Sequence, residues 1–267
     1  MAVLLKKLVQ SAKDSMPAFV RVGCRMCRQG ILFFPRQLFG TITHVSTSER
    51  IAALTFDDGP HPEFTPRLLA ILEQYQAHAT FFMVGESASR YPELVRRIAD
   101  AGHAIGNHSW DHPSFPAITS RERVRQIRAC EEVIGSNDQK LFRPPFGNQT
   151  VRTRLDALRL GYRVIAWNVV GNDWKDDSPE VVFERLARRI APGSILLLHD
   201  ALFTAENERF ISRESTIDAV RLLLERYAHE YRFVTVPELL RSGRPQKTWW
   251  YQPGDAGYLA GLQRSHI

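Results

Sequence analysis

Long apolar runs are missing from this chain. No stretch approaches the roughly 20 consecutive apolar residues that a membrane-crossing helix needs, and Lys6 and Lys7 break the first apolar run before an uncharged core of signal-peptide length develops. Neither a transmembrane nor a secretory segment is expected, so the default is a cytoplasmic protein, free or peripheral at the inner membrane face. Cysteine is scarce too: Cys24, Cys27 and Cys130 are too few and too odd in number for a disulfide framework. Cys24 and Cys27 have metal-pair spacing but no second pair completes a site, and we read the spacing as incidental. Internal repeats and low-complexity tracts are also absent.

Charge excess is confined to one end. The formal net charge is +6, yet residues 1–40 hold seven basic groups against the single acid Asp14, which leaves 28 basic and 28 acidic groups over residues 41–267. A neutral body lacks the clustered Lys and Arg of a phosphate-tracking surface, so no nucleic-acid partner is expected. In the arm, basic residues alternate with Leu4, Leu5, Leu8, Phe33 and Phe34. That mixture suits contact with an anionic membrane, packing on the domain's own surface, or disorder.

The 267 residues, 44% of them hydrophobic, suffice for one substantial core. We divide the chain into a basic, apolar N-terminal arm (1–40), one barrel-sized domain (41–240) and a tail (241–267) carrying Trp249, Trp250 and Tyr251. Within the domain, apolar runs at 51–57, 79–84, 103–107, 140–143, 162–170, 195–198 and 233–236 read as strands. Between them, helical periodicity covers Pro66 to Leu72, then 91–101, 121–134, 150–160, 179–190 and 216–228, with Thr65 and Ser178 as N-caps. Residues 42–48 read as a polar connector. Strict alternation of strand and helix predicts an α/β fold of parallel βαβ units, and the conspicuous polar residues fall where strands end, as on the C-terminal face of a β/α barrel.

The first strand delivers Asp57 and Asp58 side by side before a Gly59-Pro60 turn. Adjacent carboxylates at a buried strand end repel and are costly to desolvate, so a cation or strong donors must compensate them. His108 and His112 are four residues apart, a spacing that puts two imidazoles on one helix face, although Pro113 favours a turn of loop. Two His and one carboxylate form a facial set that leaves positions open for water and substrate, and Asp58 is the obvious third ligand.

Several motifs in one order make the resemblance specific: Thr55-Phe56-Asp57-Asp58-Gly59-Pro60-His61-Pro62, Ala79-Thr80-Phe81-Phe82, His108-Ser109 with His112, Arg143-Pro144-Pro145-Phe146-Gly147, Asp173-Trp174 and Leu196-Leu197-Leu198-His199-Asp200. Together they resemble the NodB-homology polysaccharide deacetylases, the fourth carbohydrate esterase family, over roughly residues 50–237. The resemblance implies a distorted (β/α)7 barrel. It implies a divalent metal on Asp58, His108 and His112, with Zn2+ foremost and Co2+, Ni2+ or Mn2+ as alternatives. By the same correspondence Asp57 is the general base, Arg143 orients it, and the backbone N–H of Phe146 is the oxyanion donor. His199 is the general acid, Asp173 tunes it, and Trp174 and Leu197 wall the acetyl pocket.

Two departures stand out. Trp167 is followed by Asn168, and Val170 and Asn172 are not acidic, where the family commonly has another acid; and residues 201–212 lengthen the loop after His199. The implied activity is hydrolysis of an N-acetyl group from an amino sugar, in a glycan, an oligosaccharide or a lipid-linked saccharide, with release of acetate. Deformylation, O-acetyl ester hydrolysis and a catalytically silent carbohydrate-binding role are the alternatives.

Overall fold

The structure, a computed structural model, describes residues 40–175, 177–205 and 211–250. The N-terminal arm up to residue 39, Cys24 and Cys27 with it, and the tail beyond Trp250 lie outside the described residues. No helix among the described residues is long and apolar enough to cross a membrane.

The strand Ile51–Asp57 (here β2, after β1 at Thr41–Ser46) is buried at every position, as a continuous apolar run covered on both faces must be. It pairs in parallel with β3 (Ala79–Met83) on one side and with β8 (Ile195–His199) on the other. Beyond β3 follow β4 (Ala104–Asn107), β5 (Asp138–Phe142) and β6 (Arg163–Val164), and beyond β8 lies β7 (Val169–Val170). The order is β6-β5-β4-β3-β2-β8-β7, with β9 (Arg232–Phe233) joined to the start of β2. Every pairing in this sheet is parallel, giving the expected distorted β/α barrel.

Helices α1 (Phe64–Gln74), α2 (Gly85–Arg90), α3 (Pro92–Asp100), α4 (Ser120–Ile134), α5 (Val151–Arg159), α6 (Pro179–Ala187) and α7 (Glu214–Tyr227) connect the strands. Side chains alternate across β2: Ala52, Leu54 and Phe56 pack with the helices, while Ile51 and Ala53 join Phe82, Ile165 and Ile195 in the barrel interior. The same two-residue period carries Thr55 and Asp57 to the interior face, so one pattern makes the core and aims the carboxylate.

Four local expectations are corrected. Residues 42–48 are no connector, because Thr41–Ser46 is a strand antiparallel to β10 (Arg244–Thr248). Its buried Ile42 and Val45 signal a strand only once the partner two hundred residues away is known. The span 162–170 is two short strands rather than one: Ile42 bridges Ile165 and accepts from Ala166 N–H at 2.7 Å, which takes the backbone away from β6 before β7 begins. Val236 is not in the last strand but opens α8 (Val236–Arg241), where the Thr235 hydroxyl accepts from Glu238 N–H. Thr65 is not a cap either, since α1 starts at Phe64; its hydroxyl accepts from His61 N–H at 2.8 Å and donates to Asp200 Oδ2 at 2.5 Å.

Gly193 stitches β1 to β2: its carbonyl accepts from Val45 N–H at 2.9 Å and its N–H donates to Ile51 at 2.8 Å. It sits at φ +83, and a Cβ there would lie 1.7 Å from the Val45 carbonyl oxygen. Gly193→Ala is expected to lower stability by at least about 2 kcal/mol, from left-handed strain and displacement of β1. Urea unfolding reads this as a drop in midpoint, and an unchanged midpoint contradicts the seam.

Candidate active site

Five strand ends bring the predicted residues to one end of the sheet. Asp57 closes β2 and keeps the strand's inward direction; Asp58 then takes φ 76, which turns its carboxylate away from that of Asp57. His108 and His112 follow β4 in a loop, not a helix, as Pro113 suggested: Ser109 and His112 have φ 73 and 60. Side chains build this loop. Asn107 Oδ1 accepts from Ser109 N–H at 2.9 Å, Ser109 Oγ accepts from His112 N–H at 3.2 Å, and Gln126 Oε1 accepts from the N–H groups of Trp110 and Asp111 at 2.9 and 3.2 Å.

The His108 tautomer is fixed, because a carbonyl can only accept: Nδ1–H donates to the Arg143 carbonyl at 2.7 Å, leaving the Nε2 lone pair free to ligate. Asp58 Oδ1 lies 3.4 Å from that Nε2 and 3.1 Å from His112 Nε2. These contacts lack hydrogen-bond alignment, and Oδ1 is buried without a partner. One ligand atom from each of the three side chains lies within 4.8 Å of the others. A buried carboxylate oxygen with no donor, facing two imidazole nitrogens, is a donor set that fits a divalent transition metal. Burial works to raise the Asp58 carboxyl, but His112 and His108 outweigh it and hold it well below the usual carboxylate range.

Asp57 is compensated differently. Arg143 is wholly buried, and its Nη1 donates to Asp57 Oδ1 at 2.6 Å and to Thr55 Oγ1 at 2.8 Å, while Nη2 donates to the Ala166 carbonyl at 3.1 Å. The guanidinium stacks over Phe82 at 4.1 Å and Trp167 at 5.5 Å. With Oδ1 held, Asp57 Oδ2 faces the imidazoles, 3.7 Å from His108 Nε2.

At the end of β8, His199 Nδ1 donates to Asp173 Oδ1 at 2.9 Å and its backbone N–H donates to Asp173 Oδ2 at 2.8 Å. The Thr216 hydroxyl also donates to Oδ2, at 3.0 Å, and Arg213 donates to the Asp173 carbonyl at 3.0 Å. Burial would lower His199; the Asp173 carboxylate, with Asp58 and Asp57 behind it, overrides burial and raises the imidazole to about 9. Trp174, 38% exposed, meets His199 edge-on at 5.5 Å, and Leu197 is buried on β8 beside Thr55. Phe146 has φ 58, and its ring meets His112 edge-on at 4.3 Å.

The structure adds residues that motif reading left without a role. Phe203, in the lengthened loop after β8, donates its N–H to Asp58 Oδ2 at 3.0 Å, and its ring lies 6.2 Å from that of His112. The loop length was the one signal of this. Thr55, Thr216 and Arg213 gave none. Asp200 is buried against Gly59, where a Cβ would lie 2.1 Å from its Oδ2; burial foremost, with the nearby Asp58 charge adding to it, pushes its carboxyl up to about 7.

Comparison with known proteins places the chain in a family. Residues 44–165 match the family model described as polysaccharide deacetylase. A peptidoglycan-N-acetylglucosamine deacetylase of Bacillus cereus is 36% identical over 205 residues, 74% of this chain and 91% of that protein. A chitooligosaccharide deacetylase of Azorhizobium caulinodans is 34% identical over 167 residues, 61% of this chain and 80% of that one. The chain spans 40% of the length of longer relatives it matches. Among solved structures, a peptidoglycan N-acetylglucosamine deacetylase bound to an N-hydroxybenzamide superposes with a TM-score of 0.71 at 30% identity, over 80% of this chain and 99% of that one. By sequence and fold alike, the chain belongs to the polysaccharide deacetylase family and is a carbohydrate N-deacetylase.

Proposed function

We propose that this chain hydrolyses the acetamide of an N-acetylated amino sugar in a glycan or oligosaccharide, giving acetate and the free amine, with Zn2+ held by Asp58, His108 and His112. The observation that carries the reading is the separate compensation of two adjacent buried carboxylates, Asp58 by two imidazoles and Asp57 by Arg143. When bound, the ion polarises the acyl carbonyl and lowers the pKa of water toward about 7. Asp57 Oδ2 accepts the proton of the attacking water, while Arg143 keeps the other oxygen occupied and the carboxylate in place. The Phe146 N–H donates to the oxygen that gains charge as the carbonyl carbon becomes tetrahedral. His199 then gives its Nε2 proton to the sugar nitrogen as the C–N bond breaks, because an amine leaves poorly as an anion. Asp173, on Nδ1–H, fixes the tautomer that presents that proton. Trp174 and Leu197 enclose the methyl group, which limits the acyl group to a small one.

Asp57→Asn is expected to cut acetate release by a factor on the order of 10^2–10^4 with metal affinity retained by calorimetry; equal loss of metal would make Asp57 a ligand instead of a base. His199 must be protonated to act, and its raised pKa keeps it so through neutral pH, with activity falling as pH rises through about 9. Asp173→Asn removes the carboxylate that raises it, so the alkaline limb of the kcat profile should move to lower pH; an unmoved limb assigns the proton to another group. Phe203→Pro, which deletes the N–H that holds Asp58 Oδ2, should weaken Zn2+ binding by about 10–100-fold, whereas Phe203→Ala keeps that N–H and the affinity. Equal affinities in the two variants would contradict this second support of Asp58.

A further inference from the structure

Trp249 and Trp250 stand outside every motif of the site, yet the ribbon of β1 and β10 brings them to it. Val45 of β1 is bonded to Gly193, ahead of β8, and Ile42 bridges Ile165, just past the end of β6. β10 is antiparallel to β1, with Arg244 opposite Ser46 and Thr248 opposite Thr41. It therefore runs from the side where the barrel strands start to the side where they end. The two indoles follow Thr248 directly, on the face that carries the site.

There Trp250, half-buried, is fixed by its N–H, its ring and its carbonyl. The indole Nε1–H donates to the Gly147 carbonyl at 3.0 Å, the ring meets Trp167 edge-on at 5.0 Å, and the backbone carbonyl accepts from Arg154 Nη1 at 2.6 Å. Arg154 is buried on α5 and stacks over the Trp249 ring at 5.5 Å. Both contacts of the indole lead to the site in one step. Gly147 follows Phe146, and the two take φ 68 and 58, consecutive left-handed residues. A bulky side chain such as Phe146 adopts that conformation only where its surroundings impose it. Within the loop, Gly147 N–H and Asn148 N–H donate to the Pro144 and Pro145 carbonyls, each at 3.0 Å, while Trp250 holds the Gly147 carbonyl from outside. Trp167 in turn lies against the Arg143 guanidinium, which holds Asp57.

We propose that Trp250 is a positioning residue for the hydrolysis: its indole N–H clamps the left-handed turn at Phe146 and Gly147, and so aims the Phe146 N–H before substrate arrives. Its ring backs Trp167 and, through it, Arg143. The proposal rests on the deacetylase reading above, in which the Phe146 N–H donates to the oxygen that gains charge. Such a donor acts on the charge as it develops and little on the bound acetamide, so misaiming it lowers kcat and leaves KM nearly as it was.

The test measures kcat and KM for acetate release from the β-1,4-linked trimer of N-acetylglucosamine by the Zn2+-loaded full-length protein. Trp250→Phe keeps a ring against Trp167 and removes the N–H. It should lower kcat about tenfold or more with KM within about twofold. Zn2+ stoichiometry by calorimetry should be unchanged in this variant, which separates the fall from a loss of folded protein. Trp250→Ala, which also withdraws the ring from Trp167, should lower kcat further. Trp249→Ala, which deletes the neighbouring exposed indole, should keep kcat within about twofold. An unchanged kcat in Trp250→Phe, a loss carried by KM alone, a loss matched by lost Zn2+ stoichiometry, or an equal loss in Trp249→Ala overturns the assignment with the deacetylase reading intact. Acetate from none of the proteins, wild type included, overturns that reading and the proposal with it.

Discussion

Two carboxylates adjacent in sequence and buried at one strand end are the constraint around which the site is built. Left together in the same direction they would repel across a poorly screened space, and at least one would hold a proton. The backbone resolves this by a change of conformation between them, extended at Asp57 and left-handed at Asp58, so that each meets its own partner. Arg143 reaches Asp57 from β5, and the loop after β4 brings two imidazoles to Asp58. The His108 tautomer is set by the carbonyl of Arg143 itself, so one residue aligns the proton acceptor with its side chain and a ligand with its backbone. Displacement of the β5 end would therefore disturb both carboxylates at once.

Rigidity around this pair comes from polar side chains that replace regular backbone pairing in the loops. Asn107, Ser109 and Gln126 hold the loop of His108 and His112; Thr65 ties the start of α1 to Asp200, which in turn rests on the Gly59 backbone. Each is buried, so each hydrogen bond is made in a medium where losing it costs more than its modest net worth in water. The result is a set of side chains held before substrate arrives, which is the condition for electrostatic stabilisation of a developing charge.

What could be read from the chain divides by the range of the signal. The parallel barrel was legible because β2, β3, β4 and β8 are local apolar runs separated by helical periodicity, and the strand-end residues were legible because motif order places them. The ribbon of β1 and β10 was not: Arg244–Thr248 is mostly polar and half-buried, and its partner is remote in sequence. The same seam broke the expected strand 162–170 in two, where Ile42 docks on Ile165. Thr65 looked like a cap because Pro66 follows it, but a nearby buried carboxyl competed for its hydroxyl and won. Phe203 could be placed only in a lengthened loop and given no role, since a backbone N–H contact leaves no trace in residue type.

The missing acid after Trp167 has a structural answer. Asn168 turns its amide to the edge of β8, accepting from Ile195 N–H at 2.9 Å and lying 3.3 Å from Ser194 Oγ, so it joins two strand starts and not the site. The load falls on Asp173, whose two oxygens take three hydrogen bonds, from His199 Nδ1, His199 N–H and Thr216, with Arg213 at 4.0 Å adding charge. Although burial works against ionisation, these groups, His199 foremost, keep the Asp173 carboxyl below its ordinary value, and an ionised Asp173 in turn raises His199. The Asp173 carboxylate, with Asp58 and Asp57 behind it, therefore holds the imidazole charged without a second acid after Trp167.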